Sequence, residues 1–353
     1  MREKKVSIVS IAKDLGIAPS SVSRALNDRP GVSPDLKERI LAHAERIGYS
    51  TGSVSRDRSL KIIGMIIGDI RNPFYADLVY HVNNELLARG YQLCIFNSGY
   101  VESKEIECLR LAENFHFAGV IQMNIATEQL SRVLESYSLP VVMINRSIAS
   151  FTGDIVLLDN YEAGYVATRH LIELGHSRIG FILGQKESSS CRQRFAGFQQ
   201  AMANYNLEVR PSDLLQGDLT METGLRLASQ FHALRERPSA MVVANDLMAH
   251  GFVSGCMSMG IGIPDQLSVV AFDNILFSSI GSITLSSIDP SAETMGKTAG
   301  RLIVERIEQP HKNTERVVIK PMLIERSSTA PFHGRVTAPA VYTSDMPVTG
   351  TYD

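Results

Sequence analysis

The stretch from Asp14 to Asn27, "DLGIAPSSVSRALN", predicts the end of one helix, a tight turn and a second short helix. Gly16 suits the positive φ that closes a helix, and Pro19 suits the first turn of the next one, where a missing N–H costs nothing. The apolar residues of the second helix fall on one face, and its other face carries small serines and a single long cation, Arg24. This outer face is either a contact surface or a plain solvated surface.

Helices are also predicted on both sides of this stretch. Ser7 can cap the helix that ends at Gly16, and Ser33 followed by Pro34 begins a third helix with inward apolar positions up to Ile47. Two short helices across a glycine turn, supported by a third, form a helix-turn-helix arrangement whose second helix can enter the major groove of DNA. The pattern leaves one alternative open, a three-helix cap with a polar outer face.

The longer segment "VSIVSIAKDLGIAPSSVSRALNDRPGVSPDLKERILAHAERIGY" resembles, without a gap, the DNA-binding head of the lactose-repressor (LacI/GalR) family. The resemblance implies a helix-turn-helix DNA-binding head over residues 1–50 and a hinge over residues 51–61. Residues 1–60 carry eleven Lys or Arg and seven Asp or Glu, although the whole chain has a formal net charge of −2. A basic head on an acidic body suggests a polyanion partner for the head alone.

The family resemblance also implies roles for individual residues of the head. Pro19, Ser20 and Arg24 stand at base-reading positions, and an arginine there can donate a bidentate pair of hydrogen bonds to guanine O6 and N7. The neighbouring serines and Asn27 are expected to meet phosphates or to cap helices. The predicted DNA-binding residues are Ser7, Pro19, Ser20, Ser21, Ser23, Arg24 and Asn27, with Arg56 and Arg58 of the hinge.

The hinge departs from the family pattern. Most members have Pro-Asn and then a short helix ending in Ala-Arg-x-Leu, whose leucine wedges into the minor groove. Here Thr51 and Gly52 replace Pro-Asn, and Arg58 stands at the leucine position. An arginine cannot unstack a base step at low cost, but it can lie in a narrow A·T-rich minor groove. We therefore expect weaker DNA bending than in other members, unless Leu60 takes the wedge role or the hinge stays unfolded.

The body, residues 62–330, alternates buried strands such as "KIIGMIIGDI" with helical segments such as "FYADLVYHVNNELLARG". This alternation predicts an α/β fold of parallel βαβ units, in two sets, and hence two doubly wound lobes around a cleft. The phrases "DIRNPFY", "LIELGHSRIGFILG", "VVANDLMAHG" and "IPDQLSVVAFDN" resemble the family's effector-binding and dimerisation domain, which shares the periplasmic-binding-protein fold. Residues 331–353 lack leucine heptads, so we expect a flexible tail and a homodimer rather than a tetramer.

Ligands of open α/β lobes bind off the carboxyl ends of the strands, so polar and aromatic residues at those ends are candidates for an effector site. Arg192 and Asp273 are preferred, whereas Asn245 can instead be a helix cap and Phe74 can be core. Leu219 stands where relatives often place an aromatic ring, which leaves open a sugar, a sugar acid, a phosphorylated sugar or a nucleoside. The candidates are Asn72, Phe74, Tyr75, Ser98, Asn145, Arg192, Arg194, Asn245, Asp246 and Asp273. Arg146 and Asn274 also follow strands and belong to the same set.

Composition bounds the remaining alternatives. The 353 residues are 44% hydrophobic and 20% charged, with no apolar run of membrane-spanning length and no secretory leader, so we expect a cytoplasmic protein. The four cysteines are far apart, which favours buried free thiols over metal ligands. No nucleophile, metal or nucleotide motif favours an enzyme, and no cofactor is expected. A regulator that binds pseudo-palindromic double-stranded operator DNA and a small-molecule effector is therefore predicted over a solute-binding protein of the periplasmic type.

Overall fold

The computed structural model describes residues 7–26, 29–47, 49, 61–123, 127–137, 139–148 and 150–332. The chain divides into two compact units, residues 1–60 and residues 61–353. The predictions for Asn27, for the hinge residues 51–60 with Arg56 and Arg58, and for the tail from residue 333 lie outside the described residues.

The first unit contains three helices, α1 (Ile8–Leu15), α2 (Pro19–Leu26) and α3 (Pro34–Arg46). Ser7 caps α1, since its hydroxyl accepts from the Ser10 backbone N–H and the Ser10 hydroxyl accepts from the Ser7 N–H. Gly16 ends α1 with φ at +68°, as predicted. The helices enclose a small core of Ile11, Ala12, Val22, Ala25, Ile40 and Ala44. The second helix is therefore fixed by its apolar face, which leaves its polar face outward.

The first lobe of the second unit is built on a six-stranded parallel sheet. Its strands are β1 (Ile62–Ile67), β2 (Gln92–Asn97), β3 (Gly119–Gln122), β4 (Val141–Ile144), β5 (Asp154–Leu158) and β11 (Arg316–Ile319), in the order β11-β5-β4-β3-β1-β2. Its helices are α4 (Pro73–Ala88), α5 (Glu102–Asn114), α6 (Glu128–Ser136) and α11 (Ala292–Glu308). Apolar clusters lie on both faces of this sheet, as the continuous apolar runs of the strands predict.

The second lobe repeats the plan with another six-stranded sheet. Its strands are β6 (Ile179–Leu183), β7 (Leu214–Gln216), β8 (Ala240–Val243), β9 (Ser268–Phe272), β10 (Ser286–Asp289) and β12 (Met322–Ile324), in the order β12-β10-β9-β8-β6-β7. Of these strands, β12 alone is antiparallel to its neighbour. Its helices are α7 (Asn160–Glu173), α8 (Ser189–Asn204), α9 (Met221–His232) and α10 (Asp246–Ser258), with a short 3-10 helix at Leu276–Ser279. The prediction of two doubly wound lobes is confirmed.

The chain crosses between the lobes three times, after β5, after β10 and after β11. Helix α11 packs on α4 and β11 pairs with β5, so late segments of the chain complete the first lobe. The three connecting segments between the lobes can act as hinges on which the lobes move relative to one another.

The C-terminal end of the described chain differs from the prediction of a flexible tail beginning at residue 331. The Phe332 N–H donates to the Leu174 carbonyl at 2.8 Å, and the Phe332 ring packs on His176 at 5.4 Å between centroids. His176 also contacts the Ala330 carbonyl at 3.2 Å. Residues 331 and 332 therefore belong to the second lobe, because this histidine and the end of α7 hold them. None of the helices in the described ranges is long and apolar enough to span a bilayer.

Candidate functional site

A small cavity lies between the two lobes, at the carboxyl ends of the central strands of both sheets. Its volume is about 20 Å³, which is room for about one water molecule. The first lobe contributes Asn72, Phe74, Tyr75, Tyr100, Asn145 and Arg146, and the second lobe contributes Ser190, Cys191, Arg194, Leu219, Asn245 and Asp273. Side chains thus nearly fill this cavity, whereas a larger pocket of about 500 Å³ between the lobes shares Phe74 and Asp273 with it.

Arg194 is the centre of the second lobe's half of the cavity. Its guanidinium donates to Asn160 Oδ1 at 2.9 Å, to the Ala244 carbonyl at 2.6 Å and to Asp273 Oδ1 at 3.3 Å. It also stacks over the Phe272 ring at 4.5 Å. The close approach of α7 to α8 fixes this position, because a Cβ atom at Gly164 would overlap the Arg194 carbonyl. Gly164, thirty residues earlier in the chain, therefore allows the close helix packing that positions Arg194.

Asp273 pairs with Arg194 at the end of β9, and the two side chains are 7% and 5% exposed. Burial raises the pKa of Asp273 to about 6, and the Arg194 guanidinium opposes that shift. The φ of Asp273 is +103°, a conformation that L residues rarely adopt, which turns its carboxylate toward the cavity. A buried carboxylate paired with a guanidinium is suited to accept from and donate to ligand hydroxyl groups.

Asp246 lies behind this pair instead of lining the cavity. Its carboxylate accepts from the Ile275 N–H at 3.0 Å and from the hydroxyls of Ser278 at 2.6 Å and Ser287 at 2.7 Å. Burial, and next the charge of Asp273, raise the pKa of Asp246 to about 7. Asp246 therefore ties the 3-10 helix at Leu276–Ser279 to β10 through the two serine hydroxyls.

The first lobe contributes aromatic rings and a second arginine. Arg146 is 3% exposed, its guanidinium lies 5.6 Å from the Tyr100 ring centroid, and its Nε has no hydrogen-bond partner among the described residues. The rings of Tyr75 and Tyr100 lie 6.4 Å apart, and burial raises the pKa of both phenols, which keeps them neutral hydrogen-bonding groups. Asn145 has φ at +66°, and its buried Oδ1 also finds no partner in the described part of the chain.

Two lining asparagines are helix caps as well. Asn72 Oδ1 accepts from the Phe74 N–H at 3.1 Å at the start of α4, and Asn245 Oδ1 accepts from the Met248 N–H at 3.2 Å at the start of α10. Asn245 also donates from Nδ2 to the carbonyl of Leu219 at 3.1 Å. The capping alternative is therefore correct for Asn245, and capping does not take it out of the cavity wall. Leu219 lines the cavity where a ring could otherwise stack.

Three predicted effector residues lie outside the cavity wall. Ser98 donates to the Ile67 carbonyl and to buried Glu105 at 3.1 Å, within the first lobe. Asp246 lies behind the wall, as described above. Arg192 is exposed and donates to the carbonyls of Lys186 and Glu187, facing a separate pocket of about 220 Å³. Arg194, and not the preferred Arg192, is therefore the arginine of α8 that lines the cavity. The two residues are two positions apart on the helix, so their side chains point to opposite sides of it.

Sequence reasoning missed Tyr100, Ser190 and Cys191 in the wall. Tyr100 follows β2 in the same loop as Ser98. Its aromatic ring, two residues after the candidate Ser98, is the signal that could have identified it. All four cysteines are free thiols. Cys191 and Cys256 are buried, as predicted, whereas Cys94 and Cys108 are only half-buried. Within the described ranges no group of three or more His, Cys, Asp or Glu could hold a metal ion.

The outer face of α2 is a second candidate surface, in the first unit. Pro19, Ser20 and Arg24 are exposed, whereas Ser21 and Ser23 are half-buried. The Arg24 side chain runs close to Gly31, where a Cβ atom would lie 3.6 Å from its Nη1. Ser7 is occupied in capping α1. The residues free to approach base edges are therefore those at the N-terminal end of α2 and Arg24.

Comparison with known proteins bears on both surfaces. The family described as "Periplasmic binding protein-like domain" matches residues 168–329. The HTH-type transcriptional repressor PurR of Photobacterium profundum is 30% identical over 329 residues, which cover 91% of this chain and 98% of that protein. The PurR of Aliivibrio fischeri (strain MJ11) matches with the same identity and coverage.

Two solved structures are similar in fold. The transcriptional regulator CelR in complex with cellobiose has a TM-score of 0.71 at 23% identity, covering 92% of this chain and all of that one. The lac repressor dimer bound to operator and the anti-inducer ONPF has a TM-score of 0.73 at 19% identity, covering 93% and 100% of the two chains.

Proposed function

Because this chain belongs to the lactose-repressor (LacI/GalR) family of transcriptional regulators, we infer that it represses transcription by binding operator DNA under the control of a small-molecule effector. The observation that carries the effector half is the cavity whose wall comes from both lobes. A ligand held by two lobes stabilises one relative orientation of them and shifts the equilibrium between states by its differential affinity. A solute-binding role without DNA does not account for the helix-turn-helix unit, and nothing among its regulator relatives suggests catalysis.

The effector site that we propose consists of the predicted residues that line the cavity, namely Asn72, Phe74, Tyr75, Asn145, Arg194, Asn245 and Asp273. A cavity of about 20 Å³ is too small for a sugar or a nucleoside, so an effector that contacts all of these residues requires the lobes to separate first. The hydrogen-bonding groups of Arg194 and Asp273 favour a ligand with several hydroxyl groups, in keeping with the cellobiose held by the regulator CelR. The aliphatic Leu219 argues against strong ring stacking from the second lobe.

Operator recognition is proposed for α2, with Pro19, Ser20 and Arg24 at base edges and Ser21 and Ser23 near phosphates. This assignment rests on the exposure of the N-terminal end of α2 and of Arg24. Such a helix reads only a few base pairs, so a single head gives little specificity, and two heads in a symmetric dimer would read a pseudo-palindrome. We also propose that the protein is cytoplasmic, because it would bind operator DNA.

A dimer interface is proposed on the second lobe, where exposed apolar side chains lie on neighbouring elements. Helices α9 and α10 pack together, and His250 of α10 contacts Ser278 of the 3-10 helix at 3.1 Å. Isolated exposed apolar residues are normal, but a contiguous set marks an interaction surface. The exposed apolar residues on these elements are Met221, Leu225, Met257, Leu276 and Phe277, with Ile280 directly after the 3-10 helix.

The dimer is tested by Phe277→Asp, because that ring is 52% exposed and its loss leaves the lobe's core intact. We expect sedimentation velocity to give a monomer, and operator affinity to fall as the two heads lose their linkage. Tyr205→Asp, at an exposed ring after α8, is the matched control and should stay dimeric. A Phe277→Asp protein that remains a dimer contradicts this interface.

The function itself is tested with duplexes selected from a random pool by the full chain. We expect fluorescence anisotropy to give a palindromic consensus, and one class of metabolite to change its affinity. Selection that yields no preferred sequence would contradict the proposed operator recognition.

A further inference from the structure

The buried guanidinium of Arg146 lacks a counter-charge in the part of the chain that the structure describes. It is 3% exposed, forms no ion pair with a described carboxylate, and leaves Nε without a hydrogen-bond partner. Burying a charge without a partner is costly, so buried arginines are paired almost without exception. The other arginine of the cavity illustrates the rule, since Arg194 bonds Asn160, Ala244 and Asp273.

The neighbours of Arg146 supply no substitute for an anion. Tyr100 offers only the face of its ring, 5.6 Å away, which interacts weakly with a cation. The Tyr75 and Tyr100 phenols stay protonated because burial raises their pKa. Since the guanidinium lines the cavity, the missing acceptor is expected to come from whatever occupies that cavity.

The charge of the cavity wall sets the charge of that occupant. The charged side chains in the wall are Arg146, Arg194 and Asp273, which leave one uncompensated positive charge when Asp273 is ionised. Asp246 lies behind the wall and already accepts three hydrogen bonds. A carboxylate with one negative charge would balance the wall, whereas a phosphate monoester, with about −1.5 to −2 at neutral pH, would exceed it.

We propose that the effector is a monoanionic polyhydroxy acid, whose carboxylate binds Arg146 of the first lobe while its hydroxyl groups bind Arg194 and Asp273 of the second. This proposal rests on the cleft being the effector site. A carboxylate accepts two parallel N–H bonds from a guanidinium, which would use the Nε that now has no partner. Such a ligand is held by charge in one lobe and by hydrogen bonds in the other, so both lobes must close on it for full affinity.

The test is a thermal-shift and calorimetry panel on the full chain, with five- and six-carbon aldonates and uronates beside the alditols, aldoses and sugar phosphates of the same stereochemistry. We expect only carboxylates to stabilise the wild type, and Arg146→Gln to weaken the best of them about ten- to a hundredfold. Arg192→Gln removes the same charge from the neighbouring pocket and should change that affinity by less than about twofold.

A second measurement needs no knowledge of the ligand. Without ligand, Arg146 is a buried cation that has no counter-charge among the described residues, so Arg146→Gln should unfold at the same temperature as the wild type or higher. A clear fall in melting temperature would mean that Arg146 has a structural partner and would overturn the proposal.

Other outcomes overturn it as well. These are stabilisation by neutral sugars or by phosphates alone, a carboxylate whose affinity survives Arg146→Gln, and a panel without any stabilising carboxylate. If a neutral sugar changes operator affinity, the regulator function stands and only this inference fails. If the wild type selects no duplex at all, the operator-binding function fails instead.

Discussion

Replacing Arg194 with methionine tests the construction of the cavity most directly. Methionine matches the unbranched stem of arginine and retains contact with the Phe272 ring, over which the guanidinium now lies at 4.5 Å. The substitution removes donors at 2.6 Å from the Ala244 carbonyl and at 2.9 Å from Asn160 Oδ1. It also leaves the carboxylate of Asp273, which is 7% exposed, without its only ion-pair partner among the described residues.

The magnitude follows from these lost partners. Breaking a buried ion pair from one side costs about 3–5 kcal/mol, because the remaining charge stays buried without compensation. Each acceptor left unpaired would add about 1–3 kcal/mol if the structure did not relax, but such costs are not additive. We therefore expect Arg194→Met to lower the free energy of unfolding by about 3–5 kcal/mol, a large part of the ~5–15 kcal/mol that stabilises a typical domain.

Removing the other partner of the ion pair should lower the free energy of unfolding by less. In Asp273→Asn the guanidinium keeps its bonds to Asn160 and Ala244, and the carboxyl is already easy to neutralise because burial raises its pKa to about 6. The double variant should be more stable than the sum of the single losses predicts, with a coupling free energy of about 1–3 kcal/mol.

Urea unfolding followed by circular dichroism measures all three variants, and the effector response is measured on the same proteins. Arg192→Met is the matched control on the same helix; we expect its stability to change by less than about 0.5 kcal/mol, because that side chain is exposed and its hydrogen bonds to described residues go to two loop carbonyls. Equal losses in Arg192→Met and Arg194→Met, or additive losses in the double variant, would refute the reasoning.

Three further predictions concern the head, the hinge and Asp246 behind the cavity wall. Arg24→Ala should cost about 1–3 kcal/mol of discrimination between operator and random DNA, measured by anisotropy; unchanged discrimination would exclude a bidentate guanine contact. Arg58→Leu should increase DNA bending in circular-permutation gel shifts and reduce the salt dependence of binding, whereas strong wild-type bending that vanishes in Leu60→Ala would contradict a role for Arg58. For Asp246, the folded state holds the proton more tightly than the unfolded chain, so its contribution to the free energy of unfolding falls as pH rises from 3.8 to about 7. The loss of stability between pH 5 and pH 7.5 in urea unfolding should therefore be smaller in Asp246→Asn than in the wild type.

Local patterns in the sequence determined the elements of this protein. Ser7, Gly16 and Pro19 mark helix ends through the backbone conformations that they favour, so the three helices of the head follow from short stretches of chain. The apolar runs of the strands, alternating with helices, similarly determined two doubly wound lobes with a cleft at the carboxyl ends of their strands. These features depend on interactions between residues close in sequence or repeated along it.

Only the tertiary structure decided which side chains meet in the cleft. The sequence offered both Arg192 and Arg194 and favoured Arg192, but the contact between α7 and α8 at Gly164 turns Arg194 inward. Ser98 could have reached the cleft, but buried Glu105 binds it, and Tyr100 lines the wall in its place. That Arg146 has no counter-charge within the described ranges depends on everything packed around it, and no local pattern encodes such a surrounding. The sequence therefore determined the elements and the location of the site, and long-range packing decided its chemistry.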